Sequence, residues 1–300
     1  MRIGAMIGAD GASATLDDVI TIAKNAEAAG LDNVWLANIF GFDAISTLAL
    51  IGRETKKIGL GTAVTPTYPR HPTAIAQQAL TTAAASNNRF TLGIGLSHQI
   101  VIEGMLGMSY DKPAKHMREY LSVLMPLARG EQANFQGEHY RVQGVELSIP
   151  GVERMPVVVA ALGPVMLKIA AELADGTNTW MVGPKTMESH ILPSLRAGGN
   201  DDPTVVAGMP IVLTTRVDEA RESIANNLTI YGQLPSYRAM LDREGAAGPA
   251  DIAIVGDENS LRGEIKRFED MGVTDFNAAV MDVEDGARAR TLEFLASLNG

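Results

Sequence analysis

Along the chain, short apolar runs alternate with stretches whose apolar residues recur at helical spacing. Arg2–Gly8 reads as a strand. Thr15–Ala29 puts Leu16, Val19, Ile20, Ala23 and Ala26 on one helical face, and Gly30 stops it. Asn33–Ala37 is again strand-like, and Asp43 caps a helix running through Arg53. Ile58–Val64 is a strand, and Pro72 stands at the first position of a helix to Ala85, where its missing N–H costs nothing. Phe90–Gly95 is the fourth strand and Ala114–Arg129 the fourth helix. The second half keeps the rhythm: Val157–Ala160 then Pro164–Leu173, Thr177–Met181 then Pro184–Leu195, Val205–Thr214 then Asp218–Leu228, Asp275–Met281 then Glu284–Leu298.

Short apolar strands separated by helices predict a parallel sheet covered on both faces. Eight such units predict a single α/β domain over residues 1–300, a (β/α)8 TIM barrel, in preference to an open doubly wound sheet. Its insertions fall after strand 4 and its helix (Glu131–Met155, with a Phe135–Val142 hairpin) and after helix 7 (Gln233–Val255). No linker, charge block or low-complexity tract divides the halves.

Composition sharpens this picture. Apolar residues make up 46% and charged residues 20%, a balance suited to elements buried on both faces. The absence of cysteine excludes disulfides, thiolate metal sites, iron–sulfur clusters and a cysteine nucleophile. A net charge of −10 argues against nucleic acid or an anionic membrane as partner. The acidity belongs to the second half, with 22 acidic against 13 basic groups, so an anionic ligand finds the first half less hostile. The opening segment carries no signal-peptide pattern, and no run approaches the roughly 18 apolar residues of a membrane span, so a cytoplasmic location is expected.

Several motifs fail. Gly93-Ile94-Gly95 follows a strand, but His98 occupies the third glycine position of a dinucleotide fingerprint. No phosphate-loop, HExxH or GxSxG pattern occurs, and the five histidines show no metal-binding spacing, so no metal is expected. In a barrel the chemistry sits where strands end. Those positions hold Asn38-Ile39-Phe40, then Ala63-Val64-Thr65-Pro66-Thr67-Tyr68, then Ser97-His98, then Ala161-Leu162-Gly163-Pro164, and near the sixth strand Trp180-Met181. This rim is apolar, small and aromatic, suited to a flat hydrophobic ring and unlike a carboxylate-rich hydrolase site. Taken alone, Thr62–Pro66 also reads as an apolar strand entering a proline turn. The loop before Pro164 is equally an ordinary βα turn, although its free amides and helix dipole attract an anion.

The run Gly59–Pro72, the Asn88-Arg89-Phe90-Thr91-Leu92-Gly93-Ile94-Gly95 pattern, Ala29–Trp35 and Glu172–Gly176 together resemble the luciferase-like monooxygenase superfamily. The resemblance covers essentially the whole chain. Within the superfamily it is nearest the branch that uses the deazaflavin coenzyme F420, and similar in layout to its glucose-6-phosphate dehydrogenases and methylenetetrahydromethanopterin reductases. It implies hydride transfer between F420 and a small unsaturated or carbonyl substrate, and a homodimer. The alternatives are an FMN-dependent monooxygenase and a non-catalytic flavin-binding protein. It also implies a cis Ala63–Val64 bulge behind the ring, with Asn38, Thr65, Ser97 and His98 around the cofactor. Leu162, Gly163, Pro164, Val165 and Met166 would meet its phosphate.

The departures from the family concern the proton. Relatives that reduce polar substrates carry Asp-His after strand 2, whereas this chain has Asn38-Ile39. Asn hydrogen-bonds but Ile cannot transfer a proton. His98 is then the one rim group suited to proton transfer near neutral pH, and the expected catalytic residue. A lone rim histidine also serves as a plain hydrogen-bond partner. Ile39, Phe40, Tyr68 and Trp180 are expected to line the substrate side, and Arg70 and His71 to brace their loop.

Overall fold

The computed structural model describes residues 1–8 and 14–299. Strand β1 (Arg2–Ile7) leads to α1 (Leu16–Ala29), whose start is closed by reciprocal bonds between Thr15 and Asp18. Next come β2 (Asn33–Leu36), α2 (Ala44–Glu54), β3 (Gly59–Thr62), the two-residue β4 (Thr65–Pro66) and α3 (Pro72–Ala85). Strand β5 (Phe90–Gly95) runs through a π-helical turn (Ile100–Met105) into α4 (Pro113–Ala128). The first insertion is the hairpin β6 (Ala133–Gln136) and β7 (Arg141–Val145). The chain returns through β8 (Val157–Val159), α5 (Pro164–Leu173) and β9 (Gly176–Trp180).

The expected helix Pro184–Leu195 is divided into α6 (Pro184–Thr186), a π-helical turn (Met187–Ile191) and α7 (Leu192–Ala197). Pro193 has no N–H to bond the carbonyl one turn earlier, which favours the wider turn. The long β10 (Thr204–Leu213) precedes α8 (Val217–Asn227), a 3₁₀ turn (Thr229–Gly232), α9 (Pro235–Glu244) and α10 (Pro249–Ile252). Then follow β11 (Ile254–Gly256), α11 (Glu258–Met271), β12 (Asp275–Val280) and α12 (Ala287–Ser297).

Strands β1, β2, β3, β5, β8, β9, β10 and β12 pair in parallel in that order, and β12 returns to β1. The eight-stranded barrel is therefore closed. β11 is extra: it pairs with the upper end of β10, beyond the point where β9 stops. Side chains alternate inward and outward. Trp35, Val158 and Val206 meet inside the barrel, while the larger apolar cluster lies between strands and helices. At the base, the wholly buried Asp275 accepts from Arg2 Nη2 (2.9 Å), Asn33 Nδ2 (2.7 Å) and Thr274 Oγ1 (2.8 Å), tying β12, β1 and β2 together. Among the described residues no helix is long and apolar enough to cross a membrane.

Candidate active site

The third strand ends two residues before its expected limit at Val64. The ladder to β5 breaks after Gly61 and resumes at Thr65, and between them lies a cis Ala63–Val64 peptide. The Thr62 side chain takes over the pairing there. Its hydroxyl donates to the Gly93 carbonyl (2.7 Å) and accepts from the Gly93 N–H (2.8 Å). Beyond the bulge, Thr67 N–H donates to the Gly95 carbonyl (2.9 Å).

Gly93 and Gly95 are required by this close approach. A Cβ on Gly93 would overlap the Thr62 carbonyl oxygen. One on Gly95 would stand 2.7 Å from a Val64 methyl and 3.1 Å from the Ala160 Cβ. Val64, Gly95 and Ala160 thus form a continuous smooth floor across three strands. Beside it the wholly buried Thr65 hydroxyl has no partner among the described residues, which costs about 1–3 kcal/mol unless a ligand pairs with it.

The floor ends at the loop before α5. Gly163 occupies the cap position without a side-chain cap, and Pro164 is the first helical residue. The Val165 and Met166 N–H groups find no acceptor among the described residues, while Leu167 N–H already bonds the Gly163 carbonyl (2.9 Å). Open amides at a positive helix end suit an anion. Nothing stands within 4 Å of where a Gly163 Cβ would be, so the approach is open. The loop is held from behind by His190, whose Nε2–H donates to the Leu162 carbonyl (2.8 Å). That brace was not anticipated from the sequence.

Around the mouth the expected residues fall into three groups. Asn38 spends its carbonyl on the Ala44 N–H (3.0 Å) at the start of α2, leaving its amide N–H groups for a ligand. Ile39 and Phe40 project from the same loop and are exposed, as are Ile100, Met105 and Val165 on neighbouring loops, so the rim is apolar. Arg70 and His71 brace their loop as expected. Arg70 pairs with Asp43 (2.9 Å), and His71 Nδ1 accepts from Thr73 N–H (3.3 Å) at the start of α3.

Tyr68 stands in an aromatic cluster shared with the first insertion. It stacks on His116 (4.0 Å, 5°) and Tyr110 (5.2 Å), and Tyr120 and Tyr140 complete the group. His116 Nε2 meets the Thr67 hydroxyl at 2.9 Å, so this buried ring supports the turn that follows the bulge. Burial, with His139 adding a like charge, pushes the His116 pKa down to about 4. Tyr68, His116 and Tyr140 of this cluster, with Met108, Lys112 and His139, line a cavity of about 380 Å³.

His98 follows Ser97, which holds a left-handed backbone (φ 60°), and is half-buried beside Tyr237 (5.9 Å, 55°). Burial lowers its pKa, so the ring is neutral at neutral pH. Tyr237 meets Tyr231 edge-on (5.1 Å), and Tyr231 meets Trp180 edge-on (6.1 Å). Burial pushes the Tyr231 phenol up, and the nearby Trp180 indole N–H pulls the opposite way. The two fall short of hydrogen-bond geometry, leaving the buried N–H without an acceptor among the described residues.

Tyr231 and Tyr237 were missed in the sequence. Their signal was scarcity: the chain has six tyrosines, and all six lie in these two clusters.

The luciferase-like monooxygenase family profile matches residues 1–275, and the chain belongs to that family. It is 33% identical to the 5,10-methylenetetrahydromethanopterin reductase of Archaeoglobus fulgidus, over 55% of this chain and 49% of that one. It is 28% identical to the F420-dependent glucose-6-phosphate dehydrogenase of Amycolatopsis mediterranei, over 60% and 59%. The match thus spans about half the length of the first relative and three-fifths of the second. An F420-dependent secondary alcohol dehydrogenase, solved with an F420–acetone adduct, shares the fold with a TM-score of 0.82 at 17% identity, covering 99% of this chain and 97% of that one.

Proposed function

We propose that this chain is an F420-dependent oxidoreductase, passing hydride between the deazaflavin and a small unsaturated or carbonyl substrate. The observation that carries the reading is the pairing of two features along one path. One is the side-chain-poor floor of Val64, Gly95 and Ala160 with the partnerless Thr65 hydroxyl. The other is the pair of acceptorless amides at the start of α5. A flat ring bearing a phosphate tail satisfies both. Ala63, Val64, Thr65, Ser97 and the free amide of Asn38 would hold the ring, and Leu162–Met166 the phosphate. Bound F420 supplies two-electron hydride chemistry. The chain's own work is to hold the reactants flat, exclude water, and carry the proton, for which His98 is our candidate. The F420-dependent names among its relatives support this reading.

The test is a side-by-side titration of the protein with F420 and FMN, followed by the emission of each cofactor. F420 is expected to bind at least about tenfold more tightly, ~1.4 kcal/mol. Equal or reversed affinities would move the reading to an FMN-dependent monooxygenase, the activity in the family's name. F420 binding with no turnover on any carbonyl or alkene would point to a flavin-binding protein.

A further inference from the structure

The loop between β8 and α5 is held by a side chain that belongs to another unit of the barrel. His190 lies in the π-helical turn Met187–Ile191, whose end residues are wholly buried. Only 8% of His190 is exposed, and its Nε2 meets the Leu162 carbonyl oxygen at 2.8 Å. A carbonyl oxygen can only accept, so Nε2 carries the proton. The turn is itself fixed on both sides. Ahead of it, the Glu244 carboxylate accepts the Lys185 (3.1 Å) and Thr186 (2.7 Å) N–H groups, and Met187 N–H donates to the Gly183 carbonyl (2.9 Å). Beyond it, α7 ends close against α5: a Cβ on Gly198 would stand 2.4 Å from the Ala171 Cβ.

The His190 bond decides which way the next amide faces. The Leu162 carbonyl and the Gly163 N–H belong to one trans peptide and point in opposite directions. With the oxygen held by His190, the Gly163 N–H is turned away from it, and it finds no acceptor among the described residues, like those of Val165 and Met166. Many helices satisfy these groups internally: the cap side chain takes the third amide, and the third side chain reaches back to the cap N–H. One small group thus reaches both ends of that exchange. Here the cap is Gly163 and the third residue is Met166, so neither half of it can form. A glycine is also the residue least able to hold a peptide plane by itself, and His190 supplies the restraint. Independently, the wholly buried and partnerless Thr65 hydroxyl lies beside the floor that ends at this loop, and it calls for a ligand on the same path.

We infer that His190 is a positioning residue for the cofactor's phosphate. It acts through the Leu162–Gly163 peptide, setting the Gly163 N–H to join those of Val165 and Met166 in a cradle of three donors. Backbone amides at a helix start bond phosphate oxygens strongly because the acceptor is charged. The energy therefore depends on their direction, and the Gly163 amide is the one that His190 directs. The effect belongs to the phosphate alone: the deazaflavin ring rests on Val64, Gly95 and Ala160, which His190 does not hold.

This assignment rests on the F420 reading, and the experiment separates the two. The protein is titrated with F420 and with the same deazaflavin bearing a bare ribityl chain and no phosphate, each followed by its emission. F420 is expected to bind at least about tenfold more tightly than the bare form. His190→Phe keeps a ring and removes the donor. It should weaken F420 about fivefold to tenfold and the bare form by no more than about twofold. His190→Gln can place an amide N–H where Nε2–H stands, and should return F420 to within about threefold of the unaltered protein. Melting curves check the folding of both variants. In the unaltered protein, the ring ¹⁵N resonances of His190 should show the Nε2–H form and shift on adding F420 but not the bare form, a reading that stands even if a variant fails to fold. Equal losses for the two ligands, no loss in His190→Phe, a Gln variant as weak as the Phe one, or ring resonances unmoved by F420 would each overturn the role of His190 and leave the F420 reading intact. If the unaltered protein binds neither ligand, the F420 reading falls and takes this assignment with it.

Discussion

At the scale of single residues, the proton is the open chemical question, and His98 carries it. Burial lowers its pKa, so at neutral pH the ring is a better proton acceptor than donor. The sign of the effect follows. Reduction of a carbonyl needs the protonated ring, so its turnover should rise as pH falls toward the lowered pKa. Oxidation of an alcohol needs the neutral ring and should be retained above it. His98→Gln should flatten both limbs and cut turnover by roughly tenfold or more, with F420 affinity within a few-fold. Steady-state rates across pH with one substrate in each direction check this. An unchanged profile would mean that solvent supplies the proton, and lost F420 affinity that His98 is a cofactor ligand. The bulge was anticipated from the family resemblance, since Thr62–Pro66 taken alone reads as a strand entering a proline turn. His190, behind the loop before α5, was not anticipated: it lies 28 residues from the Leu162 carbonyl it binds, on a different unit of the barrel.

At the scale of elements, both insertions turn back onto the barrel mouth. The hairpin is tied to α4 by Glu119, with Lys115 pairing to Glu138 and His116 meeting the Tyr140 hydroxyl. The buried Glu119 carboxylate accepts the N–H groups of Glu138 (3.1 Å), His139 (2.7 Å) and Tyr140 (3.2 Å). Burial alone would raise its pKa, but the three amides outweigh it and hold the group below the ordinary carboxylate range. Glu119→Ala would leave three amides unpaired and should cost about 2–4 kcal/mol in urea unfolding. Glu119→Gln keeps an acceptor oxygen and should cost clearly less. Equal losses for the two would mean that the site needs the charge more than the acceptor. The sequence reading named none of α9, α10, β11 and α11, and the longest of these is α11. Its signals were present, with Asp257 capping onto Ser260, Leu261, Ile265 and Phe268 on one face, and Gly272 as the stop. The expectation of exactly one helix per strand left it no place, and β11 is the added strand that explains it.

At the scale of the whole molecule, a polar knot stands at the seam where the last strand meets the first. Asp275 sits beneath the inner cluster and joins three strands that are far apart in sequence. Asp275→Asn turns one acceptor oxygen into a donor facing other donors. It should destabilise the protein by about 2–4 kcal/mol in urea unfolding. F420 affinity should change by no more than a few-fold, because the knot lies at the opposite end of the strands from the mouth. A loss below about 0.5 kcal/mol would show that strand pairing closes the barrel without it.

The sequence by itself determined the barrel, because the two hydrophobic periods and the breakers between them are local signals. It also placed the loop before α5 and His98 at strand ends, and the chain order of a parallel barrel puts all such ends on one face; the bulge came from the family resemblance. What only the tertiary structure decided is which side chains from the insertions return to that face. Tyr231 and Tyr237 reach Trp180 and His98 because α9 is pinned to α6 through Glu244. Tyr68 leaves the slot for His116 because α4 and the hairpin offer it a stacking partner. Those contacts join residues dozens of positions apart, and no local pattern encodes them; they follow from how the closed barrel brings its loops together.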